Sequence, residues 1–326
     1  MILAGDVGGT KTNLGLFEAR GQRLVPGCQG TYASRDFPTL EGMIQQFLDT
    51  HRLTAEHACI GVAGPVQNGR CKGLNLPWIV DEGALAEQLK IPGIRVINDL
   101  EATAYSLEAL SPEDLVPLNR GAADAAGNRA VIAAGTGLGE AGVYWDGKRH
   151  RPFAGEGGHC DFGARDALEA ELLQFMLGRY EHVSTERVLS GSGLVDMYAF
   201  FRQREPALAD PGVAEEIARG DAAASISRAG LEKRCPICEK ALERFTIIYG
   251  AEAGNLALKM MATGGVYVGG GIAPKIIDKL KQTVFIEAFF AKGRMRYFME
   301  AIPVFVIMTD RAALIGAAEF ARISIV

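Results

Sequence analysis

Near its start the chain reads LAGDVGGTKTNLGLFE, an apolar run closed by Asp6, two glycines and a threonine before a second apolar run. Glycines between two strands commonly make no more than a hairpin, because glycine adopts positive φ at little cost. A threonine hydroxyl among exposed backbone amides adds the capacity to receive an anion. Asp6, at the end of the first run, adds a carboxylate of the kind that holds Mg2+ together with phosphate oxygens. The spacing is not the G-x-x-x-x-G-K-[ST] of the nucleoside-triphosphate P-loop. It is answered instead by RAVIAAGTGLGEAGVYW at 129–145, again strand, glycine turn, strand. Two such hairpins opposed across a cleft would clamp a triphosphate. One side would supply Gly8, Gly9, Thr10, Lys11 and Thr12, the other Gly135, Thr136 and Gly137. A third cluster, GGVYVGGGIAPK, offers bare backbone at Gly269, Gly270 and Gly271, against which a flat adenosine can lie.

Other residues suit hydroxyl chemistry. Asn98-Asp99 ends the apolar run IRVI, and open α/β sheets bind ligands beyond the carboxyl ends of their strands. The competing role for Asp99 is to cap the helix that follows. In GEGGHCDF, Glu156 and His159 stand among glycines, an exposed turn carrying two hydrogen-bonding side chains. A histidine alone is more often structural; beside a glutamate it can read vicinal hydroxyls. Glu186, after Ser184 in STERVLSG, can equally stabilise the start of a helix. A polyol site needs carboxylates, amides and imidazole in number, and one carboxylate to take a proton.

The elements that must position these residues alternate. MILAGD and TNLGLFE read as strands, and Leu40, Met43, Ile44, Phe47 and Leu48 fall at helical spacing after a Thr39 cap. ACIGVAG is a further buried strand, followed by a helix around Leu85 and Leu89 and the strand IRVI. Strands separated by helices indicate an α/β architecture. Pro112 and Pro117 mark a crossing between domains, and the Ala- and Gly-rich segment 121–128 a surface loop. Gly250 and Gly254 lie four apart on a helix near 241–262, a close-packing device.

Composition narrows the function. The 326 residues allow two domains with sizeable cores. A net charge of -5 argues against a nucleic-acid partner. AIPVFVIM is too short to cross a bilayer, and Asp6 interrupts the apolar N-terminus, so neither a membrane nor a signal peptide is expected. The six scattered cysteines suit a reducing cytoplasm. Cys235-x-x-Cys238 has no second pair, and we read it as two cysteines on a helix face.

Taken in order, GDVGGTKTNLGL, NLPW, INDLEA, AAGTGLG, GEGGHCDF, STERVLSGSG and GGVYVGGGI resemble bacterial glucokinases of the hexokinase–actin–Hsp70 superfamily over nearly the whole chain. The resemblance implies an α/β fold of two domains, each on a ribonuclease H-like (actin-like ATPase) unit, with the active-site cleft between them. On this basis 1–110, completed by 304–326, forms the small domain and 111–303 the large one. It implies ATP-dependent phosphorylation of glucose at its 6-hydroxyl, with ATP and Mg2+ as cofactors and Asp6 facing the metal. Positions matching Asn98, Asp99, Glu156, His159 and Glu186 would hydrogen-bond the sugar, Asn75 would approach it, and Asp99 would be the base. A homodimer and a cytoplasmic setting are implied too. The related repressor-and-sugar-kinase group adds a cysteine cluster that binds zinc; here only Cys160 follows His159, and no structural zinc is expected. Mannose or fructose remain alternative substrates. A non-catalytic sugar-binding regulator on the same fold would need a helix-turn-helix, for which a first strand starting at Ile2 leaves no room ahead of it. A chaperone-like ATPase would need no Glu156, His159 or Glu186.

Overall fold

In a computed structural model of the chain, which describes residues 1–21, 23–72 and 78–324, the opening run forms β1 (Ile2–Val7). Ile2 and Ala4 turn to one face of the sheet, Leu3 and Val7 to the other, and both faces are buried. After the glycine turn come β2 (Lys11–Arg20) and β3 (Arg23–Ala33). Helix α1 (Leu40–His51) begins where Thr39 Oγ1 accepts the Gly42 N–H at 3.1 Å, and it buries Leu40, Met43, Ile44, Phe47 and Leu48. Then follow β4 (His57–Val62) and three short strands, β5 (Val66–Gln67), β6 (Arg70–Lys72) and β7 (Ile79–Asp81), which form a small sheet of their own. Asp81 caps α2 (Glu82–Leu89) through the Ala84 N–H, and β8 (Gly93–Asn98) leads directly into α3 (Asp99–Ser106).

The main sheet of this unit runs β3-β2-β1-β4-β8. The pairs β1–β4 and β4–β8 are parallel, with Asp6 opposite Gly61 and Gly61 opposite Ile97. Their carboxyl ends therefore finish together, and two strand spacings, about 10 Å, separate Asp6 from the end of β8.

The chain continues through β9 (Leu115–Asn119), β10 (Arg129–Ala134), β11 (Leu138–Trp145) and β12 (His150–Gly155). A helical stretch follows: α4 (Ala167–Leu177), α5 (Thr185–Val188), α6 (Gly191–Arg204), α7 (Pro211–Arg219), α8 (Ala222–Leu231) and the long α9 (Pro236–Met260). It closes with β13 (Gly265–Gly269), α10 (Ile277–Leu280), α11 (Thr283–Phe290), α12 (Arg296–Glu300), β14 (Val304–Ile307) and α13 (Ala312–Ser324).

Packing separates two units: Met1–Asp114 with Ala141–Gly155 and Thr309–Val326, and Leu115–Glu140 with Glu156–Met308. Pro112 opens a single 3-10 turn just before the first boundary, whereas Pro117 lies inside β9. It is tolerated there because, among the described residues, β9 is the end strand of its sheet, beside β14. In the second unit β10 and β13 are parallel, with Ala133 opposite Gly269, so these two strands also end together. Its core lies around α9, which carries the fully buried Phe245 and Tyr249. Gly250 and Gly254 bring α9 against α11: a Cβ at Gly250 would lie 2.1 Å from the Phe285 carbonyl oxygen.

In the first unit α13 and α3 cover the face that carries Ile2, Ala4, Cys59 and Ile97. Their contact is backbone-close, since a Cβ on Gly316 would sit 1.7 Å from the Ala102 carbonyl oxygen. Gly316→Ala should therefore lower stability by about 1–3 kcal/mol, the usual cost of overpacking, seen as a drop in Tm. Native melting behaviour in that variant would show that α13 does not fix α3.

Candidate active site

The first glycine turn is held by more than its glycines. The Gly8 N–H donates to the Lys11 carbonyl at 3.0 Å, and the Ser34 N–H donates to the Thr10 carbonyl at 3.1 Å. Ser34 Oγ donates to the Gly8 carbonyl at 2.7 Å and lies 3.0 Å from Thr12 Oγ1. A hydroxyl has one proton to give, so Thr12 is the donor to Ser34. Thr12 is consequently buried in the sheet with its hydroxyl committed to Ser34, while Thr10 and Lys11 are exposed at the turn. Lys11 Nζ stands 3.6 Å from Asp310 Oδ2.

Asp6 is fixed from the side by a relay. Asn13 Nδ2 donates to Asp6 Oδ2 at 3.0 Å, Thr31 Oγ1 donates to Asn13 Oδ1 at 2.9 Å, and Arg311 Nη1 reaches the same Oδ1 at 3.2 Å. Burial pushes the Asp6 carboxyl above its ordinary range, against the opposing pull of the Asn13 hydrogen bond, Lys11 and Arg311. A carboxylate under that strain is relieved by a cation, which fits Mg2+ held by one protein carboxylate plus phosphate oxygens. Among the described residues no group of three or more His, Cys, Asp or Glu is placed to hold a metal ion, and Mg2+ in that mode requires none.

At the end of β8 the two neighbouring residues divide their work. Asn98 is the cap of α3: its Oδ1 accepts the Leu100 and Glu101 N–H groups at 2.8 and 3.1 Å, and its Nδ2 donates to the Gly64 carbonyl at 3.1 Å. Asn98 is buried; Asp99, partly exposed, accepts the Leu100 N–H at 2.9 Å. The helix thus has its cap without Asp99. Gly61 lets α3 approach the sheet, a Cβ there falling 3.0 Å from Ala102 Cβ.

In the second unit the two remaining glycine clusters come together. Within the Gly135–Gly137 turn, the Gly135 N–H donates to the Gly137 carbonyl at 2.8 Å, and the Gly191 N–H at the head of α6 donates to the Gly135 carbonyl at 2.8 Å. Thr136 is exposed at its tip. Gly270, with φ +83°, lies so near β10 that a Cβ would sit 2.4 Å from the Ala134 carbonyl oxygen, and the Ile272 N–H donates to that oxygen at 3.2 Å. Beneath them the fully buried Tyr249 hydroxyl accepts the Ala134 N–H at 3.1 Å and donates to the Gly269 carbonyl at 3.2 Å. One phenol thereby ties the ends of both strands, and burial pushes its ionisation well up.

The same unit gathers Glu156, His159 and Glu186. Glu156 precedes and His159 ends a 3-10 turn, both half-exposed, with His159 Nε2 3.8 Å from Glu156 Oε2. The Cys160 carbonyl accepts the Thr185 N–H at 2.8 Å, and the Phe162 N–H donates to the Val183 carbonyl at 3.0 Å. These bonds lay the loop beside α5 and hence beside Glu186. Glu186 Oε2 in turn accepts the Leu138 N–H at 2.9 Å and packs on Gly137, where a Cβ would lie 2.3 Å from that oxygen. Glu186 therefore joins the Glu156–His159 loop to the second glycine turn. The exposed Cys160 follows His159, whereas Cys59, Cys71, Cys235 and Cys238 are buried. Asn75 lies outside the described residues.

Reading the sequence missed Ser34, Thr31, Arg311 and Tyr249. None has a local signature: their partners lie from 18 to 298 residues away.

Glycine turns at the carboxyl ends of parallel strands in both units belong to a sugar kinase of the actin-like ATPase fold, and solved structures share it. The crystal structure of glucokinase from an Antarctic psychrotroph matches with a TM-score of 0.85 at 32% identity over 98% of each chain. That of Balamuthia mandrillaris glucokinase in complex with glucose matches at 0.80 and 23%, over 98% of this chain and 93% of that one. The family model for glucokinase covers residues 3–324, and a glucokinase of Trichormus variabilis is 41% identical over 334 aligned positions, 98% of each chain. The chain belongs to the glucokinase family.

Tyr249→Phe removes the shared hydroxyl and leaves a buried N–H and a buried carbonyl short of a partner. Each such group costs about 1–3 kcal/mol. Urea unfolding should show a loss of about 2–6 kcal/mol for the two groups together; unchanged stability would mean that the two strand ends find other partners.

Proposed function

We propose that the chain transfers the γ-phosphoryl group of ATP to the 6-hydroxyl of glucose, with Asp99 as general base. The observation that carries this reading is the division of labour at β8: Asn98 caps the helix, and Asp99 heads it at the sheet edge where Asp6 also ends its strand. A carboxylate there accepts the proton of the attacking hydroxyl, the one covalent task that phosphoryl transfer asks of the protein. Asn98 has no useful basicity and cannot substitute.

The other roles follow from chemistry. Glu156, His159, Glu186 and the remaining amide N–H of Asn98 bond the ring hydroxyls, with Asn75 as a further contact; a site that pairs each hydroxyl rejects sugars lacking one. Exposed Thr10, Lys11 and Thr136, with the amides of Gly9 and Gly137, hold phosphate oxygens, while Gly8 and Gly135, whose N–H groups are taken by the Lys11 and Gly137 carbonyls, shape the two turns. Thr12 acts on that turn through Ser34. Gly269, Gly270 and Gly271 lie against the adenosine. Mg2+ held at Asp6 would neutralise phosphate charge. A second copy of the chain and a cytoplasmic setting complete the reading, both resting on family resemblance.

Sugar-dependent ADP release tests the activity, since a non-catalytic regulator gives none. Asp99→Asn should lower kcat by roughly 10²–10⁴-fold, the range for a lost acid–base group, with Tm close to native because the cap is Asn98. Near-normal turnover would sink Asp99 as the base. Gly270→Val, at a positive-φ position against Ala134, should raise KM for ATP several-fold and KM for glucose much less. If only the glucose constant moves, adenosine does not lie there.

A further inference from the structure

Glu140 follows the second glycine turn on β11, and the activity described above gives it no task. It is 3% exposed, and its Oε1 is buried without a hydrogen-bond partner among the described residues. Its Oε2 rests against the backbone of Gly157: a Cβ on that residue would fall 1.9 Å from the oxygen. At the next position a Cβ on Gly158 would fall 2.1 Å from the Leu138 carbonyl. The loop carrying Glu156 and His159 is thus laid on residues 138–140, against backbone at Leu138 and against the carboxyl of Glu140.

The charges around Glu140 do not favour its ionised form. From α9 come Glu252, itself 8% exposed, and Lys259, whose Nζ is 3.7 Å from Glu252 Oε1 and so already shared. From the loop come Glu156 and His159, on either side of Gly157. A carboxyl buried opposite a second carboxylate is held in its neutral form.

We propose that Glu140 is a positioning residue for the sugar loop: its uncharged carboxyl supports Gly157 and so sets Glu156 and His159, and its ionisation displaces the loop and weakens glucose binding. This rests on the assignment of that loop to the sugar. Burial, then Glu252, push the carboxyl up to about 7, with Lys259 opposing. The sign follows. Glucose binds the protonated form, so affinity is full below that pH and falls as pH rises through it, by at most about tenfold per pH unit for one proton.

The test is calorimetric titration of glucose without ATP, between about pH 6 and pH 8, on the native chain, Glu140→Gln and Glu156→Gln. The native Kd should rise by up to about tenfold across that range, as release of one proton allows. Glu140→Gln should hold the low-pH affinity throughout. A native Kd that stays constant overturns the inference. So does an equal rise in Glu140→Gln, which would assign the titration to another group. Should Glu140→Gln fail to fold, Glu252→Gln decides: loss of the facing charge should move the fall in affinity to lower pH, and an unmoved midpoint overturns the inference. Unchanged glucose affinity in Glu156→Gln would overturn the sugar-loop assignment and this inference with it. Weakened affinity there, beside a flat native profile, would overturn the role of Glu140 alone.

Discussion

A parallel strand that ends beside its neighbours leaves backbone amides with no ladder to join, and this constraint places Asp6, its glycine turn and Asn98-Asp99 in the first unit. In-register pairing makes β1, β4 and β8 finish together, which puts Asp6, the Gly8–Lys11 turn and Asn98-Asp99 on one edge. The second unit repeats the arrangement with β10 and β13. There the two glycine turns are neighbours because their strands are. Neither edge would hold its shape by strand pairing alone. Each needs a hydroxyl from elsewhere in the chain, Ser34 in one unit and Tyr249 in the other.

The parts legible in the sequence are those with local punctuation. Apolar runs around glycines announced β1–β2 and β10–β11, and Thr39 before a helical spacing of apolar residues announced α1. Asn98-Asp99 was visible as a polar pair after an apolar strand, but which of the two would cap α3 was not. Both are good caps by type and both accept the Leu100 N–H; the bond of Asn98 to the Glu101 N–H separates them. Thr12 looked equivalent to Thr10 because a turn and the first pair of a strand cannot be told apart by composition. Its burial against Ser34 is a tertiary fact. The same holds for Glu186, whose bond to Leu138 spans 48 residues. Small motifs record which groups are present; long-range hydrogen bonds decide which way they face.

Helix α9 draws the second unit together. Tyr249 reaches the two strand ends, Gly250 and Gly254 admit α11, and Glu252 stands opposite Glu140 beneath the loop of Glu156 and His159. Consecutive turns of one helix thus serve the glycine turns, the packing of the unit and the surroundings of Glu140 under the Glu156–His159 loop. Asn255 Nδ2 donates to Glu252 Oε2 at 2.8 Å and Lys292 Nζ to Asn255 Oδ1 at 2.6 Å, which extends this polar seam to the segment after α11. A substitution on the inner face of α9 therefore has no purely local effect.

The distribution of thiols makes the loop chemically addressable. Cys59, Cys71, Cys235 and Cys238 are sealed in the two cores and Cys28 is partly covered, while Cys160 stands exposed directly after His159. Alkylation requires the thiolate and access to it. A maleimide dye applied briefly to the folded chain would therefore mark Cys160 ahead of the others. A reporter attached there sits one residue from the imidazole proposed to bond the sugar, so glucose binding would be read as a change in its emission without any engineered cysteine.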